Sequence, residues 1–386
     1  MRTQATELLG IEFPIFAFSH CRDVVAAVTN AGGFGVLGAV AHTPEELDVD
    51  LKWVEEQTRG RPFGVDLLMP RKFVGAAEGG LDRSSLKSQI PPGHRAFVDD
   101  LLAGFDIPPL SPRPVRPAAE PVGGGYKRAG LQVDPKSMSP LIDVAFSHRI
   151  SLLASALGSP PDWLVTDAHD RGVRVAALAG TVRHAEAHRE AGVDLVIAQG
   201  TEAGGHTGEI TTMVLVPQVV DAMGSVPVLA AGGIANGRQM AASLALGAAG
   251  VWCGSVWLAT QEAETSAAVR ARMLDASSQD TVRTRSFTGK PCRVLRSAWT
   301  DAWEADAAPT PLPMPLQSML SDLPRRRVEA VAERPGSRAT ELLSPFVGQV
   351  VGQMNAIRGS RDVVLGMVEE VIDAWSRMND LMTAEP

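Results

Sequence analysis

His206 follows Gly204 and Gly205 in the stretch AQGTEAGGHTG, residues 198–208. An imidazole titrates near pH 6.5, so at neutral pH it can take or give a proton. The two glycines leave room beside the ring for a flat ligand and a substrate. Glu202, just upstream, is placed to orient the ring. The plainer reading is a loop histidine that caps a helix or bonds a carbonyl group. Two further glycine corners are AAGGIANGR, residues 230–238, and CGS, residues 253–255. Gly232, Gly233 and Gly254 would let anion oxygens approach backbone N–H groups, and Ser255 could add its hydroxyl. Tight packing of strand on helix is the alternative use of such glycines.

The other candidates are weaker. His184 and His188 lie four apart on a helical stretch, but HAEAH lacks the acid placement of HExxH and offers no third ligand. That pair reads as a solvated helix face, and no metal site is expected. His20 and Cys21 follow the first strand, with packing as the default and a secondary substrate role as the alternative.

Positioning these corners takes a particular set of elements. Short apolar runs at 14–18, 33–38, 63–67, 150–154, 174–178, 194–198, 226–230 and 250–253 read as strands, and helical spacing fills the intervals. Parallel strands buried on both faces are near-continuous apolar runs, and each return connection needs a helix. Thr43, Pro44 and Glu46 form a helix start, with an N-cap hydroxyl, proline at the first position and an early acid. Eight such units over about 260 residues predict a (β/α)8 barrel whose C-terminal strand ends build the site. In such barrels a phosphate sits at the loops after the seventh and eighth strands, which here are the two glycine corners.

The runner-up is an open doubly wound sheet. Gly33, Gly35 and Gly38 spell GxGxxG, but inside an apparent strand rather than between strand and helix, which makes the match accidental. Residues 69–140, rich in proline and glycine, read as an insertion after the third strand, either a lid or a disordered excursion, with a helical patch near 94–103. Residues 1–275 form the barrel in this reading. Residues 276–386 form a C-terminal helical extension packed on it, opening with the basic and polar run 281–304.

A net charge of −8 and a pI near 5.6 leave no basic footprint for nucleic acid. Cys21, Cys253 and Cys292 lie far apart with no CxxC pattern, which suits a reducing compartment, and MRTQATELLG has no apolar signal core, so a cytoplasmic protein is expected. Residues 239–261 are uncharged and long enough to cross a bilayer. Gly247, Gly250 and Gly254 divide them into a buried helix and strand. The expected partner is a small-molecule substrate, and a homodimer is compatible with the sequence.

Five segments in order, NAGGFGVLGA, GVDLL, AQGTEAGGHTG, AAGGIANGRQMAASLALGA and GVWCGS, make the chain from residue 13 to about 291 resemble the nitronate monooxygenase family and its relative, the flavin-dependent enoyl-ACP reductase. The resemblance implies an FMN-binding TIM barrel with His206 as catalytic base. It places Gln199, Gly200, Gly204 and Gly205 beside the flavin, Gly232, Gly233, Cys253, Gly254 and Ser255 at its phosphate end, and Asp66 near the ring. Ala17, Phe18 and Ser19 stand where the family has an Ala-Pro-Met type sequence, and Asp66 where it has asparagine; an aspartate there is expected to bring a negative charge that disfavours reduced anionic flavin. The implied reaction is oxidation of an alkyl nitronate by O2 to a carbonyl compound and nitrite. The alternative is reduction of an enoyl or acyl-thioester substrate with NAD(P)H as co-substrate, supported by GEITTM at 208–213 and by the insertion.

Overall fold

The computed structural model describes residues 1–68, 83–109, 135–156 and 158–383. Eleven strands occur among them: β1 (Ile15–Ser19), β2 (Phe34–Gly38), β3 (Gly64–Leu67), β4 (Leu152–Ser155), β5 (Arg174–Ala179), β6 (Leu195–Gln199), β7 (Gly205–His206), β8 (Val228–Ala231), β9 (Gly250–Cys253), β10 (Thr281–Thr284) and β11 (Cys292–Leu295). β1 to β6, β8 and β9 pair in parallel, and β9 returns to β1 through Ala17 opposite Cys253, which closes the barrel. The open doubly wound sheet is thereby ruled out. Successive side chains on a strand point to opposite faces, so each strand serves two cores. Phe16, Phe34, Val36, Leu152, Ala154, Ile197, Leu229 and Trp252 fill the barrel interior. Ala17, Leu37, Val65, Leu67, Leu153, Val196 and Cys253 face the surrounding helices.

Local signals in the chain explain the helix starts. The Thr43 hydroxyl accepts from Glu46 N–H while the Glu46 carboxylate accepts from Thr43 N–H, with Pro44 at the first helical position. Gly35 has a packing role: a Cβ there would run into the backbone of Val25. The GxGxxG run therefore serves close helix-strand contact within β2. Residues 239–261 resolve into the helix Gly237–Ala245, β9 and a short 3-10 turn, and no helix among the described residues is long and apolar enough to cross a membrane.

The chain end corrects one expectation. The helix expected after the eighth barrel strand exists as Ala267–Leu274, but it packs against the C-terminal segments. The helix lying along Gly237–Ala245 and Arg22–Asn30 is the last one, Ser360–Thr383, whose Val363, Val364, Met367 and Val371 enter the main core. Glu262 fixes its start by accepting from Ser360 N–H at 2.9 Å. The intervening chain makes a second core, where Phe287, Val294, Trp299, Trp303 and Leu320 meet Ile90, Val98 and Leu102 from residues 83–109. The helical patch near 94–103 is the helix Pro92–Gly104. The remainder of the expected lid, residues 69–82 and 110–134, lies outside the described residues.

Candidate active site

The loop after β6 is held from three sides. Gly200 N–H donates to Ala231 O at 2.9 Å, and Thr201 N–H donates to Ile210 O at 2.8 Å. Arg293, on β11, donates from Nε to Thr201 O at 3.0 Å. His206 was expected in a loop; it is the second residue of β7, which pairs antiparallel with β11 so that Cys292 stands opposite His206 and Arg293 opposite Gly205. Backbone bonding to the C-terminal chain thus fixes the imidazole, rather than the barrel alone. Gly204 makes this possible, since a Cβ there would meet Val347 and Gly348 backbone. Gly205 has φ +75° and open space where its Cβ would be.

His206 Nε2 lies 2.8 Å from Thr288 Oγ1. The same hydroxyl donates to Lys290 O at 3.1 Å and accepts from Lys290 N–H at 3.3 Å. With its proton committed to that carbonyl, the hydroxyl receives the Nε2–H of His206, which leaves Nδ1 with the lone pair. The residue is exposed by surface area, while the protein groups gathered around its ring still desolvate the charged form. Desolvation, aided by the positive charge of Lys290, lowers the His206 pKa to about 4. The ring is a neutral base at neutral pH.

Glu202 does not orient His206. Its carboxylate accepts from Thr212 N–H at 3.0 Å and from Thr212 Oγ1 at 2.9 Å, which caps the helix Thr212–Met223. Gly200 and Gly232 leave room for that Thr212 side chain.

The anion corner is narrower than the sequence suggests. At the start of the helix Gly237–Ala245, Gly237 N–H donates to Glu370 at 2.8 Å, Gln239 N–H to Asn236 at 3.0 Å and Ala235 N–H to Gln239 at 2.8 Å. That helix end is already capped by side chains, two of them local. Gly232 and Gly233, at φ +93° and +73°, precede it, and Gly254 and Ser255 open the 3-10 turn Ser255–Ala259 after β9. Ser255 Oγ accepts from Gly348 N–H at 2.8 Å, which leaves its own proton to give. A Cβ at Gly254 would meet only Phe18, at 3.7 Å.

The remaining sequence candidates divide by strand alternation. Phe18 faces inward, stacked on Trp252 at 6.2 Å and against the edge of His20 at 5.1 Å. Gln199 ends β6, half-buried. Ala17 and Cys253 turn their side chains outward into the helix layer, so only their backbone reaches the rim; burial pushes the Cys253 thiol up to about 12. Ser19 Oγ accepts from Cys21 N–H at 3.1 Å, a helix-start role. Cys21 Sγ donates to Glu262 O at 3.0 Å and His20 Nδ1–H to Gly38 O at 2.7 Å, so both pack. His188 is buried rather than on a solvated face, with Nδ1 on Ser159 Oγ at 2.8 Å and Nε2 on Leu178 O at 2.9 Å, which uses both nitrogens.

Asp66 holds the most distinctive position. Val65 and Leu67 face the helices, so Asp66 points into the barrel, 3 % exposed, in register with Gly38 and Ala154. Its Oδ2 has no hydrogen-bond partner among the described residues. Burial raises its pKa well above the ordinary 3.8. Burial thus works against the negative charge expected at this position. An orphaned inward acid beside a glycine-lined mouth fits a planar polar ring, and Ser255 with Gly254 fits a phosphate.

Sequence reading missed Thr288, Lys290, Arg293 and Gly348. Part of the signal was present: TVRT and CRVL are short runs with β-formers, and Gly289, at φ +80°, lies in the turn between them.

The sequence profile of the nitronate monooxygenase family matches residues 2–89 and 130–370. The inferred monooxygenase Rv1533 of Mycobacterium tuberculosis is 58% identical over 382 residues, covering 99% of this chain and 100% of that protein. A Staphylococcus saprophyticus protein named as a nitronate monooxygenase is 29% identical, with 92% and 95% covered. Among solved structures, nitroalkane oxidase from Streptomyces ansochromogenes aligns with TM-score 0.74 and 25% identity over 97% of this chain and 99% of that one. FabK from Thermotoga maritima aligns with TM-score 0.70 and 27% identity over 99% of each.

Proposed function

This chain belongs to the nitronate monooxygenase family and is a flavin-dependent oxidoreductase; from that premise we propose that it binds FMN at the barrel mouth and oxidises alkyl nitronates with O2 to a carbonyl compound and nitrite. The observation that carries the reading is His206, a neutral imidazole held in β7, in the segment that follows β6, by Thr288 and by pairing with β11. Bound FMN supplies the electron transfer between substrate and oxygen. The chain's own residues bind, orient and move a proton. Gly233, Gly254 and Ser255 would hold the phosphate, Gln199 and Asp66 would meet the ring, and Phe18, stacked on Trp252, would give it an apolar floor. His206 Nδ1 takes the α-proton of a neutral nitroalkane, or packs beside a nitronate that arrives already formed. The imidazolium that results is stabilised by the Thr288 hydroxyl, which accepts at Nε2.

The likeness to FabK over nearly the whole of both chains favours a second reading, an NAD(P)H-using reductase of an enoyl or acyl-thioester substrate. Anaerobic mixing separates the two. Loss of flavin absorbance with an alkyl nitronate, followed by nitrite on admitting oxygen, supports the first. Loss of absorbance with NADH or NADPH and none with the nitronate replaces it with the second.

A further inference from the structure

We propose that Asp66 stands in the barrel mouth as a neutral carboxylic acid and gives its proton as a hydrogen bond to an acceptor on the edge of the flavin ring. The proposal rests on the flavin reading above. Three observations carry it. Strand alternation turns Asp66 inward, because Val65 and Leu67 occupy the helix-facing side of β3. The carboxyl is buried and its Oδ2 is unpartnered among the described residues, while its strand neighbours Gly38 and Ala154 offer no charge and no side-chain donor. With no counter-charge on these neighbours among the described residues, a buried carboxylate costs far more than a buried acid, which favours the protonated form. Among the described residues, His20 packs its ring on Gly38, the register neighbour of Asp66, with Nδ1–H on the Gly38 carbonyl, and His206 lies in β7. A neutral acid is acceptor and donor at once, so its O–H can face the ring where an amide would use its NH2 group. It would favour the reduced flavin, the reverse of what an aspartate anion does.

The test compares the native protein with Asp66→Asn and Asp66→Leu, in FMN-free and FMN-bound forms. The folded pKa lies above the unfolded value, so the unfolded chain releases its proton first as pH rises from about 4. Native stability therefore falls with rising pH relative to Asp66→Asn, and the FMN-free Asn variant gains melting temperature over the native protein between pH 4 and pH 7. FMN titration at pH 7, read by fluorescence quenching, should give Asp66→Asn a dissociation constant within about threefold of native, and Asp66→Leu one roughly tenfold weaker, the worth of one hydrogen bond. An Asn variant that binds FMN at least tenfold tighter than native, or a stability gap that does not grow with pH, overturns the proposal alone. Failure of all three proteins to take up FMN overturns the flavin reading, and the hydrogen bond with it.

Discussion

His206 Nε2 and Thr288 Oγ1 stand 2.8 Å apart although 82 residues separate them in the chain. The barrel supplies the imidazole through the loop after β6, and the C-terminal hairpin β10–β11 supplies the hydroxyl that fixes its tautomer. Replacing Thr288 with valine keeps the volume and removes the acceptor. The expected result is a loss in kcat/KM for a neutral nitroalkane of about tenfold, with FMN content unchanged and activity largely kept in Thr288→Ser. Steady-state kinetics on the two variants check this, and equal loss in both would assign Thr288 to packing.

The depressed pKa of His206 sets a pH dependence. A base with a pKa of about 4 stays unprotonated across the physiological range, so the acid limb of kcat/KM for a neutral nitroalkane falls near pH 4 rather than near 6.5. The charge of Lys290 contributes to that depression, and in Lys290→Gln the limb moves upward. The stability sign is also fixed: between 6.5 and 4 the unfolded chain binds the proton that the folded chain refuses, so this group destabilises the fold as pH falls through that window. Melting curves of native protein and His206→Asn across the window read the difference.

Glu202 belongs to the helix Thr212–Met223. Glu202→Ala leaves Thr212 N–H without its carboxylate and should cost about 1 kcal/mol of stability, the worth of a helix cap. The pH profile set by His206 should stay in place. Denaturant unfolding together with the pH-rate profile checks both halves, and a displaced profile would return Glu202 to the catalytic histidine.

The barrel was legible because apolar runs and glycine corners recur in register with the strands, and the Thr43–Glu46 capping box could be read letter by letter. Local pattern singled out His206, Gly233, Gly254 and Ser255 as candidates, because glycine corners at strand ends can be read in a one-letter string. Three kinds of information were not local. The partner of His206 comes from a hairpin that pairs with β7 across the chain, and nothing near Gly205 announces it. The last barrel helix follows an excursion rather than β9, and amphipathic spacing alone does not say which groove a helix fills. The charge state of Asp66 depends on how completely β2 and β4 enclose it, which a one-letter string does not carry.

The measurement that tests the central claim most directly is turnover by His206→Asn on two forms of one substrate, a neutral nitroalkane and its preformed nitronate. The expected variant stays yellow with bound FMN, loses roughly a hundredfold or more with the nitroalkane, and keeps most of its activity on the nitronate, since only the former needs a base. Undiminished turnover of the neutral nitroalkane by the FMN-loaded variant would contradict it.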